Sequence, residues 1–115
     1  MTIKIDGRLL VSTLCKEFSE KFEGTLRVYN GNKLCDGSEK VASLAKATGE
    51  YECRKSKTVG EFKKDIMSQF GIKVQVASKD NWVLALDEMT LSKLPEIPKN
   101  ATKAQMQVLK SKYRK

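Results

Sequence analysis

The residue types that most often do chemistry are scarce in this chain. It has no histidine, which removes the commonest general base and the commonest neutral metal ligand. Its three cysteines are Cys15, Cys35 and Cys53, and no two lie closer than 18 residues. That spacing offers no zinc cluster, and the odd number fits no disulfide framework. Cys15 shares helical spacing with Val11, Phe18 and Phe22, so it reads as a buried structural thiol rather than a nucleophile. Cys53 reads as a core strand position, and Cys35 as a loop thiol open to oxidation. Asp87 and Glu88 stand side by side, as an acid and a base can. At the start of a short helical turn they read instead as caps. The glycines stand singly at turns, so no phosphate-binding loop is present. No catalytic residue, cofactor site or metal site is expected, and the chain reads as a non-enzyme.

Binding chemistry is better represented. Trp82 is the only tryptophan, and tryptophan is a favoured anchor at protein interfaces. Leu84 alternates with it, and Tyr29 precedes the Asn30–Gly31 turn. Trp82, Leu84 and Tyr29 are therefore the candidate contacts to another protein. The alternation through Trp82, Leu84 and Leu86 also suits core packing, and for Trp82 the core is the plainer expectation.

Charge points elsewhere. The formal net charge is +8, but residues 97–115 hold six of the 22 basic side chains and none of the 14 acids. The body keeps 16 basic against 14 acidic residues, only +2. Lys99, Lys103, Lys110, Lys112, Arg114 and Lys115 thus form a basic tail that could neutralise phosphates. Nucleic-acid binding led by that tail is the alternative function. Arg54, Lys55, Lys57, Lys63 and Lys64 make a second basic group, which reads as a solvated face.

These residues need elements to hold them, and the elements come in two sets. Shifting the chain by 48 residues brings nine apolar positions into register. Ile3 falls on Tyr51, Ile5 on Cys53, Val11 on Val59, Leu14 on Phe62 and Phe18 on Ile66. Phe22 falls on Phe70, Leu26 on Val74, Val28 on Val76 and Leu34 on Trp82. A one-residue slip then places Leu44 on Leu91. Each half reads as strand, helix, strand and return strand. In the first half the alternation of Thr2–Asp6 predicts a strand. The Val11, Leu14, Phe18 and Phe22 stripe predicts a helix capped by Ser12 or Thr13 and stopped at Gly24. Leu26–Val28 and Lys33–Cys35 predict a hairpin. In the second half the strands are Tyr51–Arg54, Ile72–Ala77 and a longer return strand at Trp82–Leu86. Its helix is capped by Thr58 and ended by Gly71.

Two helices with one apolar face each suit a two-layer α+β sandwich, over a sheet of four to six strands. The expected fold is ferredoxin-like or β-grasp-like, with one domain at 1–96 (repeats 1–48 and 49–96). Residues 97–115 form a partly helical or flexible tail, which Asn100 or Thr102 could cap.

Leu26–Gly37, continuing to Val41 and Leu44, resembles the second half of a ubiquitin-like β-grasp domain. Thr58–Ile66 is similar to that family's helix start, and Asp87–Leu91 to its turn before the closing 3₁₀ segment. The resemblance implies local geometry and a general expectation of protein binding. Each half has room for one strand before its helix, where the family has a hairpin. Pro98–Leu109 is similar to the opening of a helix-extended-helix (LEM-type) nucleic-acid-binding motif.

The resulting expectation is a non-enzymatic binding module that recognises another protein, with no membrane segment. The free thiols and the absence of an export-type leader predict a cytoplasmic location.

Overall fold

A computed structural model describes residues 1–113. Arg114 and Lys115 of the basic set lie outside the described residues. The fold is α+β. Strand β1 (Thr2–Ile5) leads to α1 (Val11–Phe22), β2 (Thr25–Asn30), β3 (Lys33–Leu34) and the short α2 (Val41–Leu44). Then come β4 (Gly49–Glu52), α3 (Val59–Phe70), β5 (Lys73–Ala77), a 3₁₀ helix (Leu91–Glu96) and α4 (Lys103–Tyr113).

The strands do not form one sheet. β1 pairs antiparallel with β4, and β2 pairs antiparallel with both β3 and β5. The strands before and after each long helix therefore lie in different sheets. Ile3 sits opposite Tyr51, and Arg27 opposite Gln75. Both pairs differ by 48 in residue number.

The helix stripes do what their spacing predicts. Val11, Leu14, Phe18 and Phe22 are buried on α1, and Val59, Phe62, Ile66 and Phe70 on α3. The Phe18 and Phe62 rings meet with centroids 5.5 Å apart, and Phe62 lies 6.1 Å from the Tyr51 ring. Burying one such ring contributes about 2–3 kcal/mol. Ile97 and Ala101, the first apolar residues of the basic tail, are buried in the same core.

Helix starts depend on the chain that follows them. Ser12 and Thr13 do not cap α1; Leu10 takes that position, without a side-chain bond. Instead the backbone of the next loop caps the helix. The Val11 N–H donates to the Glu39 carbonyl at 2.8 Å and the Ser12 N–H to the Gly37 carbonyl at 3.1 Å. The Val59 N–H likewise donates to the Met89 carbonyl at 2.7 Å, and the Gly60 N–H to the Asp87 carbonyl at 3.0 Å. Thr58 adds the predicted side-chain cap, in a reciprocal pair with Glu61. Gly71 ends α3 at φ 70. On α1 the left-handed residue is Glu23, and Gly24 serves a close approach: a Cβ there would stand 2.6 Å from Leu94 Cδ1.

The same hydrogen bonds occur in both halves, but their offset changes beyond the second strand. The Cys35 N–H donates to the Val28 carbonyl, and the Ala85 N–H to the Val76 carbonyl. The Val41 N–H donates to the Leu9 carbonyl, and the Leu91 N–H to the Lys57 carbonyl. Acceptors differ by 48 and donors by 50. Two extra residues in the second turn thus match Leu34 with Leu84, not Trp82, and Val41 with Leu91.

Candidate functional site

The β3–β2–β5 sheet turns one face to the helices and one outward. Leu26, Val28, Val74 and Val76 are buried against the helices. By alternation, Thr25, Arg27 and Tyr29 on β2 and Lys73, Gln75 and Ala77 on β5 lie on the other face. Cross-strand partners share a face. Leu34 stands opposite Tyr29, and Leu84 forms an isolated bridge with Ala77. The outer face therefore carries a large apolar side chain at two diagonal corners, about 20 Å apart by strand spacing. Leu34 is 53% exposed and Leu84 46%.

Trp82 lies beside the Leu84 corner and is 62% exposed. It is not a core residue, and Trp82–Leu86 is not a regular strand. Side chains take the bonds a strand would need. The Trp82 N–H points to Ser78 Oγ at 3.1 Å and Asp80 Oδ1 at 3.3 Å, and the Val83 N–H to Ser78 Oγ at 3.3 Å. Asn81 turns the chain at φ 57. Arg27 ties this turn to the sheet, donating from Nε to Asn81 Oδ1 at 2.8 Å and from Nη2 to the Asn81 carbonyl at 3.2 Å. Only Ala85 of this segment is buried, and Val83 and Leu86 are half-buried.

Leu84 and Tyr29 therefore share the outer sheet face, and Trp82 stands exposed two residues before Leu84. Leu34 and Arg27 lie on the same face. Both were legible as strand residues, but their outward placement depended on which parity of β2 the helices cover.

The basic tail is partly engaged. Lys99 lines a shallow depression with Glu23, Lys79 and Asp80. Lys103 and Lys110 are exposed on α4. Lys112 donates to Glu96 Oε1 at 2.7 Å. The helix is capped by Thr102, whose Oγ1 accepts the Gln105 N–H at 3.1 Å. Met106, Leu109 and Tyr113 pack against the core, while Val108 is 71% exposed.

The thiols are poor nucleophiles as placed. Cys15 is half-buried, not buried as its spacing predicted; its Sγ donates to the Leu26 carbonyl at 3.2 Å. Burial raises its pKa. Burial, then the nearby Glu39 carboxylate, pushes Cys35 up to about 11, and burial pushes Cys53 up to about 12. The Asp87 carboxylate does not cap the closing turn but pairs with Lys63 at 2.7 Å. Among the described residues no group of three metal-capable side chains stands together, and no helix is long and apolar enough to cross a membrane.

No protein-family model, curated protein or solved structure matches this chain.

Proposed function

We propose that the chain is a non-enzymatic module that binds another protein through the outer face of the β3–β2–β5 sheet. The observation that carries this reading is the exposure of Leu34 and Leu84 at corners of the outer sheet face, with Trp82 exposed two residues before Leu84. Single surface leucines are ordinary; here Leu84, with the exposed Trp82 nearby in sequence, and Leu34 bracket an open sheet face, which supports reading that face as an interaction surface. Tryptophan at its edge supplies the buried anchor such interfaces favour. A photoreactive residue at Leu84 should cross-link a discrete partner in lysate, and one at the exposed Glu20 on α1 should not. Equal labelling from both positions would count against the reading.

Nucleic-acid binding by the tail is the second reading. It is favoured by Lys103 and Lys110, exposed and seven residues apart along α4. Removing the tail would also remove Ile97 and Ala101 from the core, so charge reversal is the cleaner test. Gel-shift affinity for a DNA duplex should fall steeply with salt and drop in the Lys103→Glu/Lys110→Glu variant. Unchanged binding in that variant would end this reading.

A further inference from the structure

At its Tyr29 end the outer sheet face runs into a cleft of roughly 390 Å³. We propose that this cleft receives an acidic segment of the partner, its carboxylate between Lys46 and Lys73 and an apolar side chain against Tyr29 and Met67. The assignment rests on the protein-binding reading of the same face.

The charge of the cleft is one-sided. Lys46 and Lys73 line it together with Tyr29, Leu44 and Met67, and none of its lining residues is acidic. The outward residues of β2 and β5 include Arg27 and Lys73 and no acid either. Arg27 is bound by the neutral Asn81, which leaves its charge uncompensated there. A surface of one sign selects partners of the other and speeds their encounter.

Both lysines are held before any ligand arrives. The Lys46 N–H donates to the Phe70 carbonyl at 2.7 Å. Its methylenes lie across Gly71, where an added Cβ would meet them at 2.9–3.1 Å. Gly71 thus does two jobs: it adopts the left-handed turn at the end of α3 and leaves room for the Lys46 stem. Lys73 Nζ stands 5.4 Å from the centroid of the Tyr29 ring, a cation–π contact that fixes it at the mouth. Fixed side chains lose less freedom on binding.

The apolar lining separates a peptide from a nucleic acid. Met67 is 47% exposed, and its flexible thioether adapts to an incoming side chain. Leu44 adds apolar contact and no stacking plane. The single ring in the cleft, Tyr29, already has Lys73 over it. Single-stranded nucleic acid needs free aromatic platforms in series.

The test is an amide-shift titration of the full chain with three probes: a Glu–Leu alternating decapeptide, its Lys–Leu counterpart and a decamer of deoxythymidine. The Glu–Leu peptide should shift Tyr29, Lys46, Met67 and Lys73. It should bind about tenfold or more tightly than the Lys–Leu peptide, and weaken about tenfold in Lys46→Glu/Lys73→Glu. Unshifted amides elsewhere in the variant show that it is folded. Equal binding of both peptides, an unchanged affinity in the variant, or preferred binding of the oligonucleotide would overturn the assignment. If that variant still captures the partner and Trp82→Ala does not, the cleft assignment falls while the protein-binding reading stands.

Discussion

The carboxylate of Asp80 accepts the backbone N–H of Asn100 at 2.7 Å, which fastens the Trp82 turn to the base of the tail. Its other oxygen accepts the Ser78 hydroxyl at 2.5 Å and the Trp82 N–H at 3.3 Å. The Asn100 bond, followed by the Ser78 bond, holds the Asp80 pKa below its ordinary value. A depressed carboxylate contributes stability that is complete above the unfolded-state pKa and is lost as pH falls through the folded one. Tryptophan emission should therefore stay constant down to about pH 4, the ordinary aspartate range, and change only below it. A transition centred well above that range would show that Asp80 does not hold the turn.

Asp65 makes a second such junction, this time in the body. Its Oδ2 accepts the Tyr51 hydroxyl at 2.6 Å and the Lys57 ammonium at 2.5 Å. Lys57 and then Tyr51 lower its pKa, and burial followed by Asp65 raises that of Tyr51. Asp65→Ala strands the Tyr51 hydroxyl, and an unpaired buried donor costs about 1–3 kcal/mol. Urea unfolding should show that loss, with Asp65→Asn recovering part of it. Wild-type stability in Asp65→Ala would mean that water or another group satisfies Tyr51.

Close backbone contacts explain one glycine that the turn pattern alone did not. A Cβ on Gly37 would stand 2.8 Å from Ser12 Cβ on α1. Gly37→Ala should cost about 1–3 kcal/mol through overpacking. Ser12→Gly removes the obstacle at a helix cost of about 1 kcal/mol. The double variant should then be more stable than the sum of the single effects, by about 0.5 kcal/mol or more. Simple additivity would show that the contact relaxes without strain.

The long helices and the strands between them were legible because burial imposes a period. Every apolar residue of the two helix stripes is buried, and β2 and β5 alternate as expected. The Trp82 segment was misread for a physical reason. Alternation places Trp82 and Leu84 on one side and Val83 and Ala85 on the other, but it does not say which side is covered. Bulk suggested Trp82, while the bond from the Ala85 N–H to the Val76 carbonyl turns the smaller pair inward. The polar Ser78 and Asp80 side chains, which replace strand bonds, are invisible to a hydrophobic pattern. The two extra residues there were hidden by an ungapped match of Leu34 to Trp82. The cleft was not legible at all, since Tyr29, Lys46, Met67 and Lys73 come from four separate segments. In the tail, the Thr102 cap was readable, whereas the packing of Met106, Leu109 and Tyr113 on the core emerges only from the structure.

The most direct test of the central claim compares stability and capture in one variant. Trp82→Ala/Leu84→Ser changes exposed side chains, so unfolding stability should move by no more than about 0.5 kcal/mol per site. Partner capture from lysate by the wild-type chain should be lost in this variant. Undiminished capture by the folded variant would contradict a binding role for the outer sheet face.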